Sequence, residues 1–307
     1  MITRDSASVS MSLSSWLRKA DPGPAGSTSR DAVAAIDAAA ANPDGITRAH
    51  ELRPHLFRAE VAPGIHVAIV AGRSRAARAV ASMNVSRLLG LHVVPHTRAI
   101  VLPKQIKFRA EVEHGYLQHW VGDPHDGYSG THPYFDELDK TDEDFQAIAA
   151  HHLVTGELDG HRENVALGPP HARKYMSIDH EDTFGSYHPG TFTDEGLLHP
   201  KIKPLSLASL FGRHAQAPGF AIRGNDILPS IRHMLESAKP HQFMSAVRVP
   251  GLENSNAHGA RAWAFARALA AHPRWPSPND YKDFIANARQ FASSVPYVWD
   301  ALRSPWR

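Results

Sequence analysis

Between Thr155 and His180 the chain gathers the residue types that phosphoryl chemistry uses, carboxylates and an amide spaced by glycines and short apolar runs. The segment reads Thr155-Gly156-Glu157-Leu158-Asp159-Gly160-His161-Arg162-Glu163-Asn164, then Val165-Ala166-Leu167, then a turn-rich GPPHARK, then Tyr175-Met176-Ser177-Ile178-Asp179-His180. Two apolar strands thus flank a turn. An antiparallel hairpin centred between His171 and Ala172 sets Asn164 opposite Asp179 at the open end of its ladder. An amide oxygen and a carboxylate are hard donors, and side by side they make half of a Mg²⁺ site. Asp159 stands five positions before Asn164. That separation keeps a base near the nucleophile without quenching it on the cation.

A competing set is His151, His152, Asp159, His161, Asp179 and His180, a zinc or manganese hydrolase site by residue type. Three points weigh against it. His152 falls on the apolar face of its helix, adjacent His151 and His152 do not point to one metal, and no His-Glu-x-x-His occurs. His180 is expected to pack or hydrogen-bond, since Mg²⁺ prefers oxygen.

The elements that must position these residues are legible in outline. With 307 residues, 42% of them hydrophobic, the chain has ample material for a core, and disorder throughout is excluded. Lys and Arg number 33 against 31 Asp and Glu, a net charge too small for capture of a nucleic-acid backbone, so no nucleic-acid partner is expected. No cysteine occurs, which removes disulfides, thiolate metal sites and cysteine nucleophiles together. No apolar run approaches the ~20 residues that span a bilayer, so no transmembrane segment is expected.

Residues 1–30 are rich in Ser, Thr, Gly and Pro and read as a disordered leader, and 31–54 as a helical extension with a short Ala-rich helix over 31–41. Ala62-Pro63-Gly64 separates two apolar stretches, 57–61 and 65–71, as a hairpin turn does. Ala77, Val80, Ala81, Val85, Leu88 and Leu89 share one face of a helix over 76–91. Strands follow at 99–102 and 115–121, with a polar loop between them. A Gly, Pro, His and Asp stretch at 122–133 reads as a boundary. Beyond it, Thr141-Asp142-Glu143-Asp144 sets an N-cap residue three positions before a carboxylate and opens a helix with Phe145, Ile148, Ala149, His152 and Leu153 on one face. Further helices are expected at 227–238, 257–271 and 280–293, with Trp263, Phe265, Trp275, Phe284, Phe291 and Trp299 as their core aromatics.

The offset of Asp159 to Asn164 is that of the protein-kinase catalytic loop, where Asp handles the acceptor hydroxyl and Asn holds metal. With Ile178-Asp179-His180 after it, the segment resembles the D-R-x-x-x-N…I-D-x-G signature of the phosphatidylinositol 3-/4-kinase-like and HipA-like atypical kinases. Upstream, AARAVASM at 76–83, LLGL at 88–91 and VPHT at 94–97 resemble that family's helix and the turn after it. Gly115-Tyr116-Leu117-Gln118-His119-Trp120-Val121 resembles its G-x-x-Q-x-x-V strand leading to the hinge. The resemblance spans residues 57 to 185. It implies an α+β, two-lobed protein-kinase-like fold: a small antiparallel-sheet N-lobe at 55–121 and a larger helical C-lobe at 122–307, with the catalytic hairpin at 159–182.

It further implies ATP as nucleotide and Mg²⁺ or Mn²⁺ held by Asn164 and Asp179, with Asp159 as the catalytic residue. Gln118 and Trp120 would border the nucleotide. Two family features are missing. The phosphate-binding Lys is replaced by Val70 or Ala71 and its orienting Glu by Ala79, so Arg73, Arg75 and Arg78 stand as substitute phosphate ligands. Gly160 stands where the family has Arg, and the Asp179 motif lacks its Gly. The expected activity is phosphoryl transfer to a protein Ser/Thr hydroxyl or a phosphoinositide. The alternatives are a non-catalytic pseudokinase that binds a host protein, a nucleotidyl transferase on the same fold and, last, the metal-dependent hydrolase. The acid-poor leader resembles those of bacterial effectors injected by type III secretion, which implies a host-cell substrate and a role in virulence; the alternative location is the bacterial cytoplasm.

Overall fold

The structure, a computed structural model, describes residues 29–110, 112–121, 141–157, 164–168, 175–185, 222–277 and 279–303. Its first helix, α1 (Arg30–Ala41), is capped by Ser29, whose hydroxyl oxygen accepts from the Ala32 N–H. Five strands follow: β1 (Ala49–Arg53), β2 (Leu56–Ala62), β3 (Ile65–Ala71), β4 (Thr97–Val101) and β5 (His114–His119). They form one antiparallel sheet in the order β1-β2-β3-β5-β4, with α2 (Arg73–Leu88) between β3 and β4 and α3 (Lys104–Ala110) between β4 and β5.

Strand alternation assigns the two faces of this sheet. Phe57, Ala59, Val67, Ile69 and Leu117 point to one side, where Ile36 of α1 completes a buried cluster. Val70 and Tyr116 point to the other and meet Ala76 and Ala79 of α2. Gly115 permits the close pairing of β3 and β5, because a Cβ there would fall 2.2 Å from the Val70 carbonyl oxygen. Polar contacts tie α1 down: Asp37 Oδ1 lies 2.7 Å from His96 Nε2 and 3.1 Å from Arg98 Nε, and Arg87 lies 2.7 Å from His96 Nδ1.

The second half of the chain supplies α4 (Glu143–Thr155), a hairpin of β6 (Val165–Leu167) and β7 (Tyr175–Ser177), and a 3₁₀ turn at His180–Gly185. Then come α5 (Pro229–Ser237), α6 (Pro240–Ala246), α7 (Ser255–Ala271), α8 (Tyr281–Ser293) and α9 (Pro296–Arg303). Its hydrophobic core is built around α4 and α7, both buried on nearly every side. The later part of α2 joins it through Ala81, Met83 and Val85. The aromatics Trp263, Phe265, Trp275 and Phe284 lie inside this core, with Phe291 and Trp299 packed against it. A Cβ on Gly259 of α7 would fall 2.5 Å from Met244 Cα, so glycine sets how closely α6 approaches. The protein is therefore an α+β molecule with a five-stranded antiparallel sheet and a set of helices. Among the described residues no helix is long and apolar enough to cross a membrane.

Several expectations need correction. The 31–54 stretch is not purely helical, since β1 lies within it and pairs with β2. The polar loop between β4 and β5 contains α3, whose first turn is anchored by the Pro103 carbonyl accepting from Ile106 and Lys107 at 2.9 Å. Helix α2 starts three residues early, directly after Gly72, whose φ of 142° suits glycine. The cap of α4 is Asp142, which accepts from the Asp144 N–H, rather than Thr141. The leader up to residue 28 and the 122–133 boundary lie outside the described residues.

Candidate functional site

The β6–β7 hairpin is present, in a register one step from the expected one. Val165 pairs with Ser177, Ala166 with Met176 and Leu167 with Tyr175, and the Ile178 N–H donates to the Asn164 carbonyl at 2.9 Å. Asn164 therefore faces Ile178, and Asp179 is the next residue out. The expected direct opposition of Asn164 and Asp179 is therefore corrected: a one-residue slip moves Asp179 out of the position opposite Asn164. Val165, Ala166, Tyr175, Met176 and Ser177 are all buried, so no alternation of apolar and polar residues marked the register.

Asn164 is buried, whereas the Asp179 side chain is 27% exposed. Asp179 sits at φ 61°, a left-handed conformation that Asp tolerates better than most residues. Its Oδ2 lies 3.5 Å from the Arg53 guanidinium, which ends β1 at the turn into β2. The carboxylate thus faces the sheet. Below it, Ala166, Met176 and Ile178 of the hairpin pack with Val121 just past β5, an apolar floor joining sheet and hairpin.

The other expected residues are placed as follows. Asp159 lies outside the described residues, as do His161 and Arg162. Arg73 lies beside Gly251, where an added Cβ would be 3.6 Å from its Nε, and Arg75 folds back over Gly72. Arg78 Nε is buried in α2. Gln118 is buried and its amide donates to Thr97 Oγ1 at 3.0 Å, tying β5 to β4. Trp120 lies just past β5 with the Arg58 guanidinium 5.4 Å over its ring. At the positions of the missing ion pair, Ala79 and Ala71 are buried and Ala79 packs on Tyr116. Apolar contact fills these positions.

Behind Asp179 lies a buried polar cluster that the spacing did not reveal. The rings of His151 and His180 are 5.0 Å apart, those of His152 and His180 5.8 Å, and those of His151 and His152 6.1 Å. One nitrogen from each falls within 4.8 Å of the others. The expectation that adjacent His151 and His152 cannot address one point is corrected here: the 3₁₀ turn crosses α4 and brings His180 up against both rings. His151 Nε2 lies 3.0 Å from the Ser82 carbonyl, His152 Nε2 2.5 Å from Ser177 Oγ, and His180 Nε2 3.0 Å from the Ser177 carbonyl. His180 Nδ1 lies 3.2 Å from Oε2 of buried Glu157. Burial, with the nearby His180, pushes the His151 imidazole down to about 3, so it is neutral at physiological pH. The signal for this cluster was in the sequence: two histidines inside an otherwise apolar helix need polar partners.

The chain matches no family model and no curated protein.

Proposed function

We propose that the protein is an ATP-dependent, Mg²⁺- or Mn²⁺-dependent phosphoryl transferase of atypical-kinase type, with a two-lobed fold in which nucleotide lies between the sheet and the β6–β7 hairpin. The observation that carries the reading is the position of Asp179: a partly exposed carboxylate held in a left-handed turn at the open end of the hairpin and facing Arg53 on the sheet. Its cationic neighbour supports a place where phosphate and metal charge would meet.

The donor set fits a hard cation. Asn164 and Asp179 would hold it through an amide and a carboxylate oxygen, and it would neutralise charge on the phosphates. The chain's own residues supply the rest. Arg53, which the motif did not suggest, is the guanidinium beside Asp179 and binds phosphate oxygens without an orienting Glu. Ile178, the partly exposed member of the apolar cluster with Val121, Ala166 and Met176, would meet the base. Asp159 orients or deprotonates the acceptor hydroxyl, on a protein Ser/Thr or a phosphoinositide. If residues 1–30 direct type III secretion, the acceptor is a host molecule.

A second reading, a nucleotide-free module that binds a partner protein, is favoured by one observation: Ala79 and Tyr116 fill the place of the clamp with apolar contact. Incubation with ATP labelled at the α- or γ-phosphate, with Mg²⁺ or Mn²⁺ and an Asp179→Ala control, separates the readings. Label from γ alone supports the kinase, and label from α means nucleotidyl transfer. No transfer and no metal-dependent thermal shift by ATP leaves the binding module.

A further inference from the structure

We infer that His151, His152 and His180 hold one structural transition-metal ion, Zn²⁺ by donor chemistry, buried behind the Asp179 turn and bound without nucleotide. This site goes beyond the phosphoryl-transfer reading and stands whether or not that reading does.

The hydrogen bonds fix where the lone pairs lie. A carbonyl only accepts, so His151 Nε2, facing the Ser82 carbonyl, carries the proton. Its Nδ1 is therefore a bare lone pair, and it is buried with no hydrogen-bond partner. Donation from one ring nitrogen to a carbonyl, with the other left basic, is the arrangement that orients metal-ligating histidines. His151 is fully buried, so water does not occupy that lone pair's place.

His180 adds a conflict that an ion resolves. Its Nε2 also faces a carbonyl, that of Ser177, and must donate; Nδ1 then turns a second lone pair toward the Glu157 carboxylate, 3.2 Å away. Two acceptors facing each other in the core need something between them, either a second ring proton or a cation. A shared cation removes the conflict, and 3.2 Å is the separation of two ligands on a tetrahedral ion with bonds of about 2.0 Å. Glu157 thus borders the three histidines on the His180 side, as a partner that orients and charges the site. His152, whose Nε2 contacts Ser177 Oγ, completes the nitrogen set. The three nitrogens spread up to 4.8 Å, and an ion would draw them toward the roughly 3.3 Å of a tetrahedral edge. Imidazole donors select Zn²⁺ over Mg²⁺, which keeps this site chemically apart from Asn164 and Asp179. Its effect is to pin the turn that carries Asp179 to the end of α4.

The test uses the full chain, stripped with chelator and titrated with Zn²⁺, and with Co²⁺ followed by visible absorption. Expected are one ion per chain, a dissociation constant below about 10⁻⁷ M, tetrahedral Co²⁺ bands and a raised melting temperature that Mg²⁺ does not reproduce. Glu157→Gln weakens binding about 10- to 100-fold, and Asp179→Ala leaves it intact. Because His151→Ala or His180→Ala can unfold the chain, X-ray absorption on the wild-type Zn²⁺ protein counts imidazole ligands directly, and three are expected. Failure to take up Zn²⁺, fewer than two imidazole ligands, or loss of Zn²⁺ in Asp179→Ala overturns the proposal; the first outcome assigns His180 and Glu157 to a proton-sharing pair. None of these outcomes touches the labelled-ATP experiment, so the two proposals fail separately.

Discussion

Asp179 and His180 are consecutive in the chain and lie in opposite surroundings: one presents a carboxylate to solvent and to a half-exposed arginine, the other is sealed between α4 and the hairpin against two histidines and a glutamate. A charge pair at the surface contributes about 0–1 kcal/mol because water screens it, whereas breaking a buried pair leaves an unsolvated group behind. The chain has thus divided labour within two residues. On the proposed reading, Asp179 serves chemistry at little structural expense, and His180 anchors the turn that carries it.

The division is open to attack at each side. His180→Ala removes a buried ring and its contact with Glu157 and is expected to lower the unfolding free energy by about 3–5 kcal/mol, read by urea denaturation. A loss below about 1 kcal/mol would mean that the buried cluster is not structural. Asp179→Ala is expected to reduce phosphoryl transfer by about 10²–10³-fold while moving stability by less than about 1 kcal/mol. If melting temperature and activity fall together, the separation of roles is wrong.

The pH dependence sharpens the contrast further. His151 is depressed from 6.5 in the unfolded chain to about 3 in the folded one, so the unfolded state binds the extra proton in between. The stabilisation is fully present above pH 6.5 and is lost as pH falls toward 3, at about 1.4 kcal/mol per pH unit. Denaturation of metal-free protein from pH 7 to 4 should show this slope, and His151→Leu should flatten it. The smallest effect belongs to Arg53→Ala: a stability change under about 1 kcal/mol, with a raised KM for ATP as its main consequence. An unchanged KM would remove Arg53 from the phosphate site.

What could be read in advance followed the strength of local signals. The Ala62-Pro63-Gly64 turn was plain because Pro and Gly mark it between two apolar stretches, and α2 was legible as a helix, although it buries two faces, one on the sheet and one in the helical core, rather than the one expected. Strand β1 escaped notice because Ala49–Arg53 is an edge with little burial and no apolar alternation. The hairpin's existence was legible from its apolar runs. Its register was not, since both faces of β6 and β7 are covered. The His151, His152 and His180 cluster spans 29 positions and depends on the 3₁₀ turn crossing α4, a tertiary fact that no spacing rule contains. Arg53 was missed for the same reason. It reaches Asp179 across 126 positions of sequence.

Helix α2 touches the sheet through Ala76 and Ala79 and through Met83, whose sulfur accepts from the Thr97 N–H of β4 at 3.1 Å, and it reaches the helical core through Ala81, Met83 and Val85. Methyl groups interlock weakly and longer side chains interlock well, so the two halves of one helix differ in grip. Met83 is the exception, gripping both at once, so the middle of α2 is the rivet through which a disturbance of the sheet reaches the helices around the histidines.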